Sequence, residues 1–181
     1  ESTREQQEEA LEKIARAIED DTKEAELGKV AARFAKFQGD FPDSKYADEA
    51  TFSAVLIYNQ ADELDHAIRM GEIMRAKYSK QAEEELVQRN HLLLAEFYER
   101  IADFETSADL YNEFFETYPK HEKASVALYN AAIYYQGLGQ TDTAIAKFKT
   151  YYTAHAENAA EAAQVYWRTC GLYEFKEDWT E

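Results

Sequence analysis

Apolar and polar positions along this 181-residue chain follow a repeating frame. In four amphipathic stretches a short residue, Val55, Ala95, Ala132 or Cys170, precedes Tyr58, Tyr98, Tyr135 or Tyr173 by three positions, and the stretches succeed one another in steps of 40, 37 and 38 residues. A second register runs through Val30, Ala67, Ser107 and Ala144, with Phe34, Gly71, Tyr111 and Phe148 four residues on, in steps of 37, 40 and 37. Spacings of three and four place both members of a pair on one helix face. Each stretch therefore predicts a helix: the small residue lets a neighbouring backbone approach, and the side chain one turn away fills the space beside that contact. Turns near Gly39 to Ser44, Gln60 to Glu63, Ser79 to Gln81, Ala102 to Phe104, Pro119 to Lys123, Gly137 to Asp142 and His155 to Asn158 separate the helices. Gly139 is placed to end one helix, with Thr141 or Asp142 capping the next.

The frame resembles the tetratricopeptide repeat, in which a small residue precedes an aromatic in the first helix, an Ala precedes an aromatic in the second, and a Pro marks the turn. Leu128 to Tyr152 matches it best, and Phe41-Pro42-Asp43-Ser44, Tyr118-Pro119-Lys120-His121 and the degenerate Tyr78-Ser79-Lys80-Gln81 mark the repeat ends. The resemblance implies an all-α fold, a right-handed α-solenoid of helical hairpins at about 3–42, 44–79, 81–119, 121–156 and an incomplete 158–181. These repeats run longer than the usual 34 residues. Together with Phe41 to Ala50 and Phe114 to His121, that length is similar to bacterial cell-envelope members, the Tol–Pal-associated coordinator and the outer-membrane assembly lipoproteins. A periplasmic or outer-membrane-associated location follows as an expectation, with the cytoplasm as the alternative. The segment Glu5 to Asp20 is helical by the spacing of Leu11, Ile14, Ala15 and Ile18, but lacks the expected Tyr and reads as a modified or capping helix. The next small crossing position, 38 residues beyond Ala144, falls one residue past Glu181. Val165, Tyr166, Cys170 and Tyr173 then face a missing partner helix, so a fragment of a longer solenoid is expected.

Composition narrows the function. Two prolines and six glycines suit long helices with short turns. A net charge of −16, from 36 acidic against 20 basic residues, argues against nucleic acid as a partner. No stretch approaches the 18 apolar residues of a membrane span. Cys170 is the single cysteine, so no internal disulfide forms, which fits cytosol and periplasm alike. The histidines show no metal-ligand spacing, and Glu83-Glu84-Glu85 and Glu19-Asp20-Asp21 lack the pattern of a calcium loop. His91 and His155 stand at packing positions of the repeat, and Cys170 at a site for small buried residues. No nucleophile–base pair and no phosphate loop is found, so an enzyme is not expected, nor a cofactor or metal.

One feature exceeds packing. In the family that the frame resembles, first-helix residues pointing into the concave groove fall three before, one after and four after the small site. The first set here is Phe52, Leu92, Tyr129 and Trp167, a large apolar residue in four successive repeats. Leu56 and Ile133 add to it, while Asn59, Glu96, Glu99, Gln136 and Glu174 supply a polar border. The row reads as an apolar groove for a protein or peptide segment. The alternative is that tight winding buries these side chains within the array. The groove lacks the Lys and Asn residues that hold a peptide's C-terminal carboxylate in chaperone-binding members, which argues against an acidic-tailed ligand. The expected function is thus a non-catalytic interaction scaffold of an envelope assembly; its rivals are a regulatory or sensor region of a larger enzyme and a self-association module.

Overall fold

The computed structural model describes residues 6, 7, 9, 11, 13, 24–154 and 159–176. The described residues form no strand; 6, 7, 9, 11 and 13 are helical, and from residue 24 onward eight α-helices follow: α1 (Glu24–Asp40), α2 (Ala47–Gln60), α3 (Leu64–Ile73), α4 (Glu84–Arg100), α5 (Phe104–Thr117), α6 (Ala124–Gly137), α7 (Thr141–Ala154) and α8 (Ala159–Phe175). A π-helical turn, Met74–Tyr78, continues α3. The predicted turns fall at or beside the breaks between these helices. That of His155 to Asn158 lies outside the described residues, as does most of the Glu5 to Asp20 segment. The chain divides into two compact units, residues 1–97 and 98–181.

Three turns share one device. Asp62, Ala102 and Gly139 have φ of 53°, 61° and 75°, and they follow one another at the same steps, 40 and 37 residues, as Val55, Ala95 and Ala132. Each donates its N–H to the carbonyl three residues back, of Asn59, Glu99 or Gln136, and the next N–H donates to Tyr58, Tyr98 or Tyr135. The left-handed residue thereby closes two bonds onto carbonyls that the helix end leaves without intrahelical donors. The ends of the repeats are alike too: Ser44, Gln81 and His121 each donate their N–H to the carbonyl of Phe41, Tyr78 or Tyr118.

In the first unit the small residues do what their spacing predicts: Val30, Val55 and Ala67 are 5%, 0% and 0% exposed. Tyr78 bolts the turn before α2. Its hydroxyl donates to the Pro42 carbonyl at 3.0 Å and accepts from Gln38 Nε2 at 3.1 Å. Gly71 stands where other second helices carry an aromatic. A β-carbon there would lie 2.7 Å from Leu94 Cδ2, so the missing side chain is what admits α4.

In the second unit Ala132, Phe114 and Phe148 are fully buried, each large side chain contributing about 1.5–3 kcal/mol by leaving water. Asp103 caps α5, accepting from the Thr106 N–H at 3.1 Å. At α7 the expected cap is corrected: the Ala144 N–H donates to the Gln140 carbonyl at 3.0 Å, so Gln140 holds the cap position. Thr141 is already helical, and its hydroxyl donates back to the Gly139 carbonyl. Asp142 sits in the first turn, where a carboxylate favours the helix dipole. Cys170 is only half-buried, unlike Ala95 and Ala132.

Candidate partner-binding groove

The groove positions fare differently in the two units. In the first, α2 and α4 carry Phe52 and Leu92, which are 5% and 8% exposed. At these two positions burial within the array is what the structure shows, because a large apolar side chain beside a close helix contact gains more by leaving water. Arg89, exposed on α4, stands over the Phe52 ring with its guanidinium carbon 5.1 Å from the centroid, within cation–π reach. Leu56 and Asn59 are half-buried and Glu96 is exposed.

In the second unit α6 presents Tyr129 half-buried, edge-on to Phe148 at 5.9 Å and tilted against Tyr151 at 5.4 Å between ring centroids. Such offset geometry is the favoured one for aromatic rings. Around Tyr129 a cleft of about 340 Å³ opens, walled by Val126, Tyr151, Gln164, Val165 and Arg168. Tyr151 and Val165 form its buried floor, while Val126, Gln164 and Arg168 are exposed at the rim. Arg168 Nη1 donates to the Tyr129 hydroxyl at 3.3 Å, and its guanidinium lies 5.8 Å from the Phe148 ring.

Trp167 is 72% exposed and is not a wall of this cleft. Val165, Thr169 and Leu172 take the buried face of α8, which turns Trp167 outward. Ile133 and Gln136 are half-buried on α6; the buried Gln136 Oε1 has no hydrogen-bond partner among the described residues. Glu99 accepts from Tyr111 at 3.4 Å, and Glu174 is exposed. Of the expected row, Tyr129 alone enters the cleft.

The sequence reading missed Val126, Gln164, Arg89 and Arg168. The two arginines lie 37 residues beyond Phe52 and 39 beyond Tyr129, so an aromatic answered by an Arg one repeat later was the available signal. The arrangement can stack a ring and donate hydrogen bonds. Among the described residues no group of three or more His, Cys, Asp or Glu side chains could hold a metal ion, and no helix is long and apolar enough to cross a membrane.

No protein-family profile matches the chain, and no curated protein matches it. Solved structures do. One is the crystal structure of nearly identical TPR-like repeats assigned to a kinesin light chain in Podosopora anserina, with a TM-score of 0.57 at 14% identity, covering 97% of this chain and 92% of that one. A singly substituted variant of those repeats gives a TM-score of 0.56 at 11% identity, covering 96% and 95%. At such identities the likeness is one of fold: this chain has the fold of TPR-like helical repeats.

Proposed function

We propose that this chain is a non-catalytic protein-interaction scaffold whose second unit receives a partner segment along the cleft between α6, α7 and α8. The observation that carries the reading is the cleft itself: an aromatic-floored recess with an apolar residue, Val126, 59% exposed at its rim. Helical repeats of this kind stack side chains into extended recognition surfaces, and a recess floored by Tyr151 and Val165 beside Tyr129 suits an apolar anchor of a peptide or helix. The longer repeat and the sequence likeness to envelope proteins favour a partner from a bacterial cell-envelope assembly and a periplasmic or outer-membrane-associated location.

Affinity capture from an envelope extract, followed by titration of the captured partner, tests this. Tyr129→Ala and Val126→Asp are expected to weaken binding at least about tenfold with the helical spectrum intact, whereas Glu83→Gln with Glu84→Gln changes mainly the salt dependence. A partner that binds both cleft variants as it binds the unaltered protein would overturn the reading. Self-association is favoured by one separate observation, the exposure of Tyr166, Trp167 and Phe175 at 52%, 72% and 81%. Light scattering at several concentrations separates it, since only self-association raises the mass with concentration.

A further inference from the structure

We infer that the segment received in this cleft carries one internal acidic side chain that pairs with Arg168, beside a large apolar residue seated over Tyr151 and Val165; the inference rests on the cleft being the binding site. The chain has 36 carboxylate side chains against 20 basic ones, yet among the described residues Arg168 pairs with none of them. Its contacts are the Tyr129 hydroxyl and the Phe148 ring. A guanidinium has five N–H donors in a rigid fork matched to a carboxylate, and here one is engaged, by a neutral oxygen.

Val126, Tyr129, Tyr151, Gln164 and Val165, the other walls, are all uncharged, so the described lining contributes a positive charge and no negative one. The ring contact and the hydroxyl hold the guanidinium at the rim rather than leaving it to sweep through solvent, which lowers the entropy lost when a ligand pairs with it. The net charge of −16 repels further carboxylates at long range. One acid beside an apolar anchor is therefore the complementary pattern, not an acidic run. The first unit uses the same pairing of residues, with Arg89 over Phe52, but there the aromatic is 5% exposed, which leaves little of its ring for a ligand to meet.

The test pans a phage-displayed library of random internal peptides, none ending in a free carboxylate, on the full chain. Enriched peptides are resynthesised with both ends capped and titrated by fluorescence polarisation, with circular dichroism verifying the fold of each protein variant. The expected binders hold a single Asp or Glu next to Leu, Phe or Trp. Arg168→Gln, and the acid-to-amide change in the peptide, should each weaken binding about tenfold, and the two together no more than either alone. Arg168→Lys, which keeps the charge without the fork, should retain part of the affinity. Binders that lack an acid, or that bind the Arg168→Gln protein equally while Tyr129→Ala still weakens them, would overturn the inference and leave the cleft reading standing. An amide-substituted peptide that regains full affinity when its C-terminus is freed would assign the carboxylate to a chain end and overturn the internal acid. A dimer of the protein that Arg168→Gln dissolves would make a second copy the occupant, again against the inference. If nothing is enriched on the unaltered protein over Tyr129→Ala, the cleft reading itself fails and the inference with it.

Discussion

Asn90 donates its side-chain N–H to the Gly71 carbonyl at 3.0 Å, joining α4 to α3 three residues before the backbone widens into the π-helical turn at Met74. The contact is possible because Gly71 has no side chain: a β-carbon would sit 2.7 Å from Leu94 Cδ2 and 3.2 Å from Asn90 Oδ1. Leu94 is fully buried and has nowhere open to retreat. Gly71→Ala should therefore destabilise the protein by roughly 1–3 kcal/mol, even though Ala is the better helix former. A urea midpoint equal to that of the unaltered protein would show that α4 does not depend on this gap.

The three left-handed turn residues differ in cost. Gly139 adopts its φ of 75° freely, while Ala102 holds 61° against its own β-carbon. Ala102→Gly is expected to stabilise by about 1 kcal/mol and Gly139→Ala to destabilise by about as much. Thermal melts of the pair should move in opposite directions, and a shift of the same sign in both would contradict the account.

Ala132 is fully buried where α6 meets its neighbours. Ala132→Leu should cost roughly 1–3 kcal/mol by forcing the helices apart, whereas Trp167→Ala, at a position 72% exposed, should stay within about 0.5 kcal/mol. Paired urea titrations would expose an error if the Trp167 change proved the larger.

Alkali should loosen the second unit. Burial chiefly, then the hydrogen bond to Asp109, raises the pKa of Tyr135 far above its ordinary value of 10; burial and Glu99 do the same for Tyr134. Above pH 10 the unfolded chain releases these protons and the folded chain keeps them, so the folded state binds more protons and stability falls with rising pH. The contribution is whole below pH 10 and is lost progressively above it. Denaturation midpoints at about pH 9 and about pH 11 should show a drop that Tyr135→Phe makes shallower; an equal drop in that variant would remove Tyr135 from the explanation.

Sequence spacing alone determined the helices and which residues share a face of each. Val55, Ala95 and Ala132 are buried where their frame placed them, because helical periodicity fixes which side chains share a face whatever lies opposite. The left-handed role of Gly139 was legible for a similar reason, since glycine is the residue that adopts it freely. Asp62 and Ala102 carried no such mark, and only the closed turn shows that their backbones are held there by bonds to Asn59 and Glu99. The groove row was legible as a set of equivalent positions but not as a surface. Phe52, Leu92, Tyr129 and Trp167 share one position in the repeat, yet they are variously buried, half-buried and exposed. Exposure depends on what the neighbouring helix brings, and that neighbour is a repeat length away in sequence. So it was tertiary structure that set Arg89 over Phe52 and Arg168 against Tyr129: a helix face is written in its own residues, but a cleft is written in the side chains that another helix lays across it.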